Sequence, residues 1–294
     1  MKTIKTKLQK TFVLFSLLLA SQAFAQTDGL LWKVSGKGLS KPSYLFGTIH
    51  LYCNPETLMT PVLQDAAKAS DVVAMELNLN DYNTLVAIYT SSMAPVKKPL
   101  KDLLSKSQYK TVDSVIRVVL KDSINTYNGK SPIAMMGYLY SSESVIGCTQ
   151  PMPVDFTVAN LAKQLGKETF GLESFEFQDS LIKSIPDSIQ VKWLMDFCGN
   201  MDKAKKEFGE FISSYNAQSS KQLYHLSVTV SPEMQLYKDV LLTNRNNAWV
   251  NFLKDNMSTY AIFMAVGAGH LGGDDGLIAQ LSKAGYTVTP VTIK

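Results

Sequence analysis

Two of the three histidines end the same short pattern: an apolar run, a glycine, two residues and a histidine. The first is Tyr44-Leu45-Phe46-Gly47-Thr48-Ile49-His50-Leu51; the second is Phe263-Met264-Ala265-Val266-Gly267-Ala268-Gly269-His270-Leu271. Glycine there allows a sharp bend and a close approach by a ligand or second loop, and imidazole is both a common metal ligand and a common general base. Glu76 stands in the apolar stretch Val72-Val73-Ala74-Met75-Glu76-Leu77. A carboxylate in such surroundings must be paired, metal-bound or neutralised. Two imidazoles and one carboxylate are a recurring set for a divalent ion with an open position for water, and such an ion lowers the pKa of its water and polarises a carbonyl. Glu173, in Gly171-Leu172-Glu173-Ser174, follows another predicted strand, and Arg245 is one of only two arginines. An arginine there can clamp a carboxylate, either a substrate's or that of Glu173. The plainer alternatives are histidines that cap strand ends and acids held in structural ion pairs. His225 falls in a helical run, and no Gly-x-Ser-x-Gly motif accompanies these residues.

The elements that must position these groups follow from pattern. Leu30–Ser35 and Tyr44–Gly47 read as a hairpin with a wide Gly/Pro/Ser loop. A helix over 61–70 leads to a strand over 71–77 that contains Glu76. Residues 81–93, 100–120 and 132–145 read as helices, the last starting with Ser131 and Pro132. Asp155 is placed to cap a helix over 156–165, and 168–172 is a short strand. Helices dominate from 174 to 257, with Pro186 and Pro232 as starts. An apolar strand over 259–266, a helix opened by Asp274 and Asp275, and a strand over 286–293 complete the chain. The expectation is an α+β fold: a β-sheet core built from the N- and C-terminal strands, wrapped by helices, with a large helical middle.

Composition narrows the function classes. The 294 residues are 46% hydrophobic and 18% charged, which excludes a disordered chain. Residues 1–25 carry Lys2, Lys5, Lys7 and Lys10, then the apolar run Thr11–Ala20, then Ala23-Phe24-Ala25. That order is a secretory signal peptide. The expected layout is a signal over 1–25, a single domain over 26–294, and an exported protein, periplasmic or extracellular, with no stable membrane anchor once the signal is cleaved. Without those four lysines the basic and acidic residues balance at 25 each, so nucleic acid is not an expected partner. Three cysteines, Cys53, Cys148 and Cys198, allow at most one internal disulfide, and the sequence does not choose among the three pairs.

The chain resembles the TraB/GumN family, whose animal relatives are the Tiki metalloproteases. The resemblance runs in order through Leu31-Trp32-Lys33-Val34, the first Gly-x-x-His motif, Glu76, Val154-Asp155, Gly171-Leu172-Glu173, Gln178, Arg245-Asn246, the second Gly-x-x-His motif, Gly276-Leu277 and Gly285-Tyr286. Pro153, Asn244 and Gly272 depart from the family's usual glycine, glutamate and proline. The resemblance implies an erythromycin esterase/ChaN-like fold and a hydrolase dependent on a divalent metal ion (Mn, Co or Zn). Its substrate would be a peptide or exported protein. His50, Glu76 and His270 are the expected ligands, with Glu76 or Glu173 as base and Arg245 beside them. The alternatives are a non-catalytic binder of metal or haem and a protein that sequesters a peptide.

Overall fold

The computed structural model describes residues 28–94, 96–229 and 232–293. The expected signal peptide lies outside them. Six strands form one mixed sheet: β1 (Leu31–Ser35), β2 (Ser43–Thr48), β3 (Val72–Met75), β4 (Glu168–Gly171), β5 (Ile262–Gly267) and β6 (Thr287–Val291), in the order β4-β3-β5-β2-β1-β6. β1 runs antiparallel to both β2 and β6. β2, β3, β4 and β5 are mutually parallel, so four strands deliver their carboxyl ends to the same edge of the sheet. The hairpin and the terminal strands stand where periodicity placed them, and the fold is α+β.

Side-chain alternation divides the sheet into two faces. Leu31, Phe46, Val73, Met75, Phe263 and Ala265 pack on one side against the helices Pro61–Ala69 and Val154–Gln164. Trp32, Leu45, Val72, Ala74, Met264 and Val266 pack on the other against Asn244–Asn256 and Leu277–Lys283. A third apolar cluster, built on Val112, Ile116, Met135, Leu139, Leu194 and Phe197, belongs to the inserted helices. Cys198 lies within it as a buried free thiol, while Cys53 and Cys148 form a disulfide. Among the described residues no helix is long and apolar enough to cross a membrane.

Several boundaries differ from the sequence reading for local reasons. The stretch 100–120 splits because Ser105 and Gln108 form a capping box that starts a new helix at Lys106. The stretch 132–145 splits at Ser141 and Ser142, between Pro132–Tyr140 and Glu143–Ile146. β3 ends at Met75, so Glu76 stands just beyond the strand rather than inside it. Asp155 caps nothing: the helix begins at Val154 after Pro153, and Asp155 is a buried first-turn residue. Asp274 and Asp275 precede a helix that begins only at Leu277. The Asp275 carboxylate instead accepts from Tyr224 and Thr243 and pairs with Lys238.

Candidate active site

Each of the four parallel strands ends on a residue singled out by sequence. His50 follows β2, Glu76 follows β3, Glu173 follows β4, and His270 closes the 3-10 turn Ala268–His270 after β5. In open sheets this edge is where ligands bind, because loops from neighbouring strands converge there. The two Gly-x-x-His motifs pack on one another: a Cβ on Gly47 would stand 2.9 Å from both Ala268 Cβ and Leu271 Cδ1. A Cβ on Gly267 would stand 3.2 Å from Glu76 Oε1. A side chain at Gly47 would force its neighbours to shift, and one at Gly267 would press on Glu76.

Arg245 gathers the centre. It lies in the first turn of the helix Asn244–Asn256, directly after a five-residue π-helical stretch, Asp239–Thr243, a wider winding that is common beside functional groups. Its Nε donates to Glu173 Oε1 at 2.9 Å and its Nη2 to Glu173 Oε2 at 2.8 Å. Nη2 also pairs with Glu76 Oε2, and Nη1 meets His270 Nε2 at 3.1 Å. The guanidinium lies over the Trp249 ring, 4.8 Å from its centroid. Gln178, on the helix Phe175–Ser184, donates to both Glu76 and Glu173. The amide of Gly267 donates to Glu76 Oε1 at 2.7 Å. Burial opposes ionisation of Glu76, but His270, Arg245, His50 and that amide outweigh it and bring its pKa down to about 2.

The two histidines have opposite settings. His270 is buried, and its Nδ1 faces Asn246 Oδ1 at 2.7 Å. The Asn246 amide nitrogen donates to the Asp275 carbonyl, which assigns its oxygen to the histidine and the proton to Nδ1. His270 Nε2 is then the acceptor of the Arg245 hydrogen bond. Burial, reinforced by Arg245 and His50 against the pull of Glu76, lowers its pKa to about 3, so the ring is neutral. His50 keeps 71% of its side chain exposed, with Nδ1 at 3.1 Å from Asp155 Oδ2. The other Asp155 oxygen accepts from Thr48 at 2.8 Å. The Asp155 charge and hydrogen bond outweigh desolvation of the ring and raise the His50 pKa to about 9. With Nδ1 held by Asp155, Nε2 is the nitrogen available for chemistry. A cavity of about 130 Å³ is lined by His50, Glu76, Leu77, Leu79, Phe156 and Gln178. A larger open depression beside Lys98, Asp102 and Asp187 shares none of these residues.

The five expected residues thus form one neighbourhood, but not the expected ligand set. Both imidazoles are oriented through Nδ1 by an oxygen, as ligating histidines commonly are. His50 Nε2 stays open, but the other ligand atoms are already committed: His270 Nε2 and Glu76 Oε2 to a guanidinium, Glu76 Oε1 to a backbone amide. Among the described residues no three His, Cys, Asp or Glu side chains are arranged to hold a metal ion. Arg245 supplies the positive charge where an ion was expected, so the residues as arranged do not fit a divalent metal. Asp155, read in the sequence as a helix cap and part, with Val154, of the family resemblance, proves to be the hydrogen-bond partner of His50. Asn246 and Gln178 were visible only as part of the family resemblance. His225 is exposed on the helix Ser220–Thr229, outside the cluster.

Comparison with known proteins agrees with the resemblance. The chain is 22% identical to Metalloprotease TIKI1 of Xenopus tropicalis, over 90% of this chain and 62% of that protein. It is 23% identical to Metalloprotease TIKI1 of Homo sapiens, over 90% of this chain and 62% of the relative. It is 23% identical to Metalloprotease TIKI2 of Danio rerio, over 89% and 60%. The chain therefore spans about three-fifths of the length of these relatives. No solved structure matches it. The TraB/PrgY/gumN family matches residues 30–290, nearly every element that builds the sheet and its edge, and the chain belongs to that family.

Proposed function

We propose that the protein is an exported hydrolase that cleaves peptide bonds in the cleft between His50 and Glu76. The observation that carries this reading is the Asp155–His50 pair beside the buried Glu76–Arg245–Glu173 cluster, at the carboxyl ends of four parallel strands. The relatives' name, metalloprotease, supports peptide-bond hydrolysis as the reaction. The Cys53–Cys148 disulfide supports export, since such bonds persist in oxidising compartments.

Neutral His50 takes a proton at Nε2 from a water attacking the scissile carbonyl. Asp155 holds the ring in the tautomer that leaves Nε2 unprotonated and stabilises the imidazolium that forms. His50 then returns the proton to the leaving amine. Glu76, ionised and fixed by Arg245, Gln178 and the Gly267 amide, faces the same cavity and is placed to orient the water. Arg245 holds Glu76, and His270 Nε2 accepts from the same guanidinium.

The test is turnover of a peptide library by the mature protein, beside His50→Ala and Glu76→Gln, with EDTA and with added Mn, Co or Zn. Loss of the base is expected to cost about 10²–10⁴-fold, and EDTA is expected to change little. Turnover seen only with an added ion would require Arg245 to leave His270 and would restore the metal-dependent reading. Absence of cleavage under all conditions would favour a peptide-sequestering protein.

A further inference from the structure

The Cys53–Cys148 disulfide joins the two segments that carry the Asp155–His50 pair. Cys53 stands three residues after His50, and Cys148 seven residues before Asp155. The two segments are stitched together along their length. Val154 N donates to Ile49 O at 2.9 Å, one residue before the His50–Asp155 contact on each side. Tyr52 and Met152 then exchange both backbone hydrogen bonds, at 3.2 and 3.0 Å, as an isolated antiparallel bridge. The disulfide closes this short ladder at its open end. An isolated two-residue bridge is a weak restraint, because few hydrogen bonds offset the ordering of two loops. Nothing else in the ladder is covalent.

His50 has reason to need such a restraint. Its ring is largely in solvent and its recorded side-chain hydrogen bond is to Asp155. Asp155, by contrast, is anchored in a helix and bonded to Thr48. The Tyr52 ring packs on Tyr215, whose hydroxyl donates to Gly47 O, and the Tyr52 hydroxyl donates to Asn216 Oδ1 at 2.6 Å, so the loop is tied on that side through Tyr52. Beyond Tyr52, the disulfide is the covalent tie from the loop to the 148–152 segment.

We propose that Cys53 and Cys148 are positioning residues for the Asp155–His50 pair: their disulfide holds the post-β2 loop against the 148–155 segment so that the imidazole stays on Asp155. This inference rests on the proposed hydrolytic use of His50, but its test does not require turnover.

The imidazole ¹⁵N–¹H signals of the mature protein are compared with those of Cys53→Ser/Cys148→Ser and of the wild type reduced by a phosphine. His270 is an internal control for the folded cluster and exposed His225 for a solvated ring. Above about pH 9, where the ring is neutral, wild-type His50 is expected to show one tautomer, protonated at Nδ1. With the disulfide open, its signals are expected to move to those of His225 while those of His270 stay in place. Where turnover is measurable, kcat is expected to fall at least tenfold with KM changed less than threefold. If His50 keeps its Nδ1-protonated signature with the disulfide open, the inference is overturned. Loss of both His50 and His270 signatures in variant and reduced protein alike also overturns it, because the disulfide then holds the whole fold. If His50 responds as expected but neither form cleaves any peptide, the hydrolase reading fails and the positioning role stands.

Discussion

Asp155 keeps His50 protonated to higher pH than a free imidazole, while burial keeps His270 neutral. The first shift sets a pH profile. Only the unprotonated Nε2 can accept a proton from water, so kcat/KM is expected to rise about tenfold per pH unit and level off near pH 9. A profile already flat from pH 7 would show that His50 is not the base. The same shift contributes to stability with a fixed sign. The folded pKa lies above the unfolded one, so the Asp155–His50 contribution is complete below about 6.5 and is lost as pH rises through about 9. Loss of Arg245 is expected to weaken the fold. Arg245 and its partners Glu76 and Glu173 are almost wholly out of solvent. Arg245→Gln leaves two buried carboxylates facing each other and is expected to cost about 3–5 kcal/mol in urea unfolding. A loss below 1 kcal/mol would mean that water or another cation replaces the guanidinium.

At the scale of elements, the site depends on β2 and β5 lying parallel and in contact, with Gly47 opposite Val266 and their following turns packed together. Gly47→Ala drives a methyl group against Ala268 and Leu271. It is expected to destabilise by roughly 1–3 kcal/mol and to move the His270 imidazole signals; an unchanged Tm and spectrum would show that the turns yield without cost. This packing explains why so much of the site was legible. A glycine that admits a second loop leaves a local mark, Gly-x-x-His after an apolar run, and the chain carries it twice. Asp155 left no such mark. Its sequence signature is that of any acid in a helix's first turn, and its partner is 105 residues away. The disulfide was hidden for the same reason, since three cysteines contain no information on which two loops meet. Arg245 was read as a clamp for one carboxylate and proves to hold two, because Glu76 stands past the end of β3 and turns toward it. The metal expectation came from residue types and from the family resemblance. What the types omit is that the amide of Gly267 and the guanidinium of Arg245 already occupy the same lone pairs.

For the whole molecule, the sheet with its two covering layers and the inserted helices have separate apolar clusters. The candidate site lies at the edge of the sheet, and the helix Met201–Asn216 links the two parts, with Ala204 in the helical cluster and Tyr215 in the sheet's. Cys198 turns this division into something that can be timed. Its thiol is sealed in the helical cluster, and burial pushes its pKa up to about 12, so a thiol reagent reacts only when that layer opens. Labelling is expected to accelerate more than tenfold in Leu139→Ala, a core truncation of the kind that costs roughly 2–5 kcal/mol, and to be unaffected by Gly47→Ala. Equal acceleration by both variants would mean that the layers open as one. If they open apart, the buried thiol is a native clock for one half of the protein, readable while the other half is still folded.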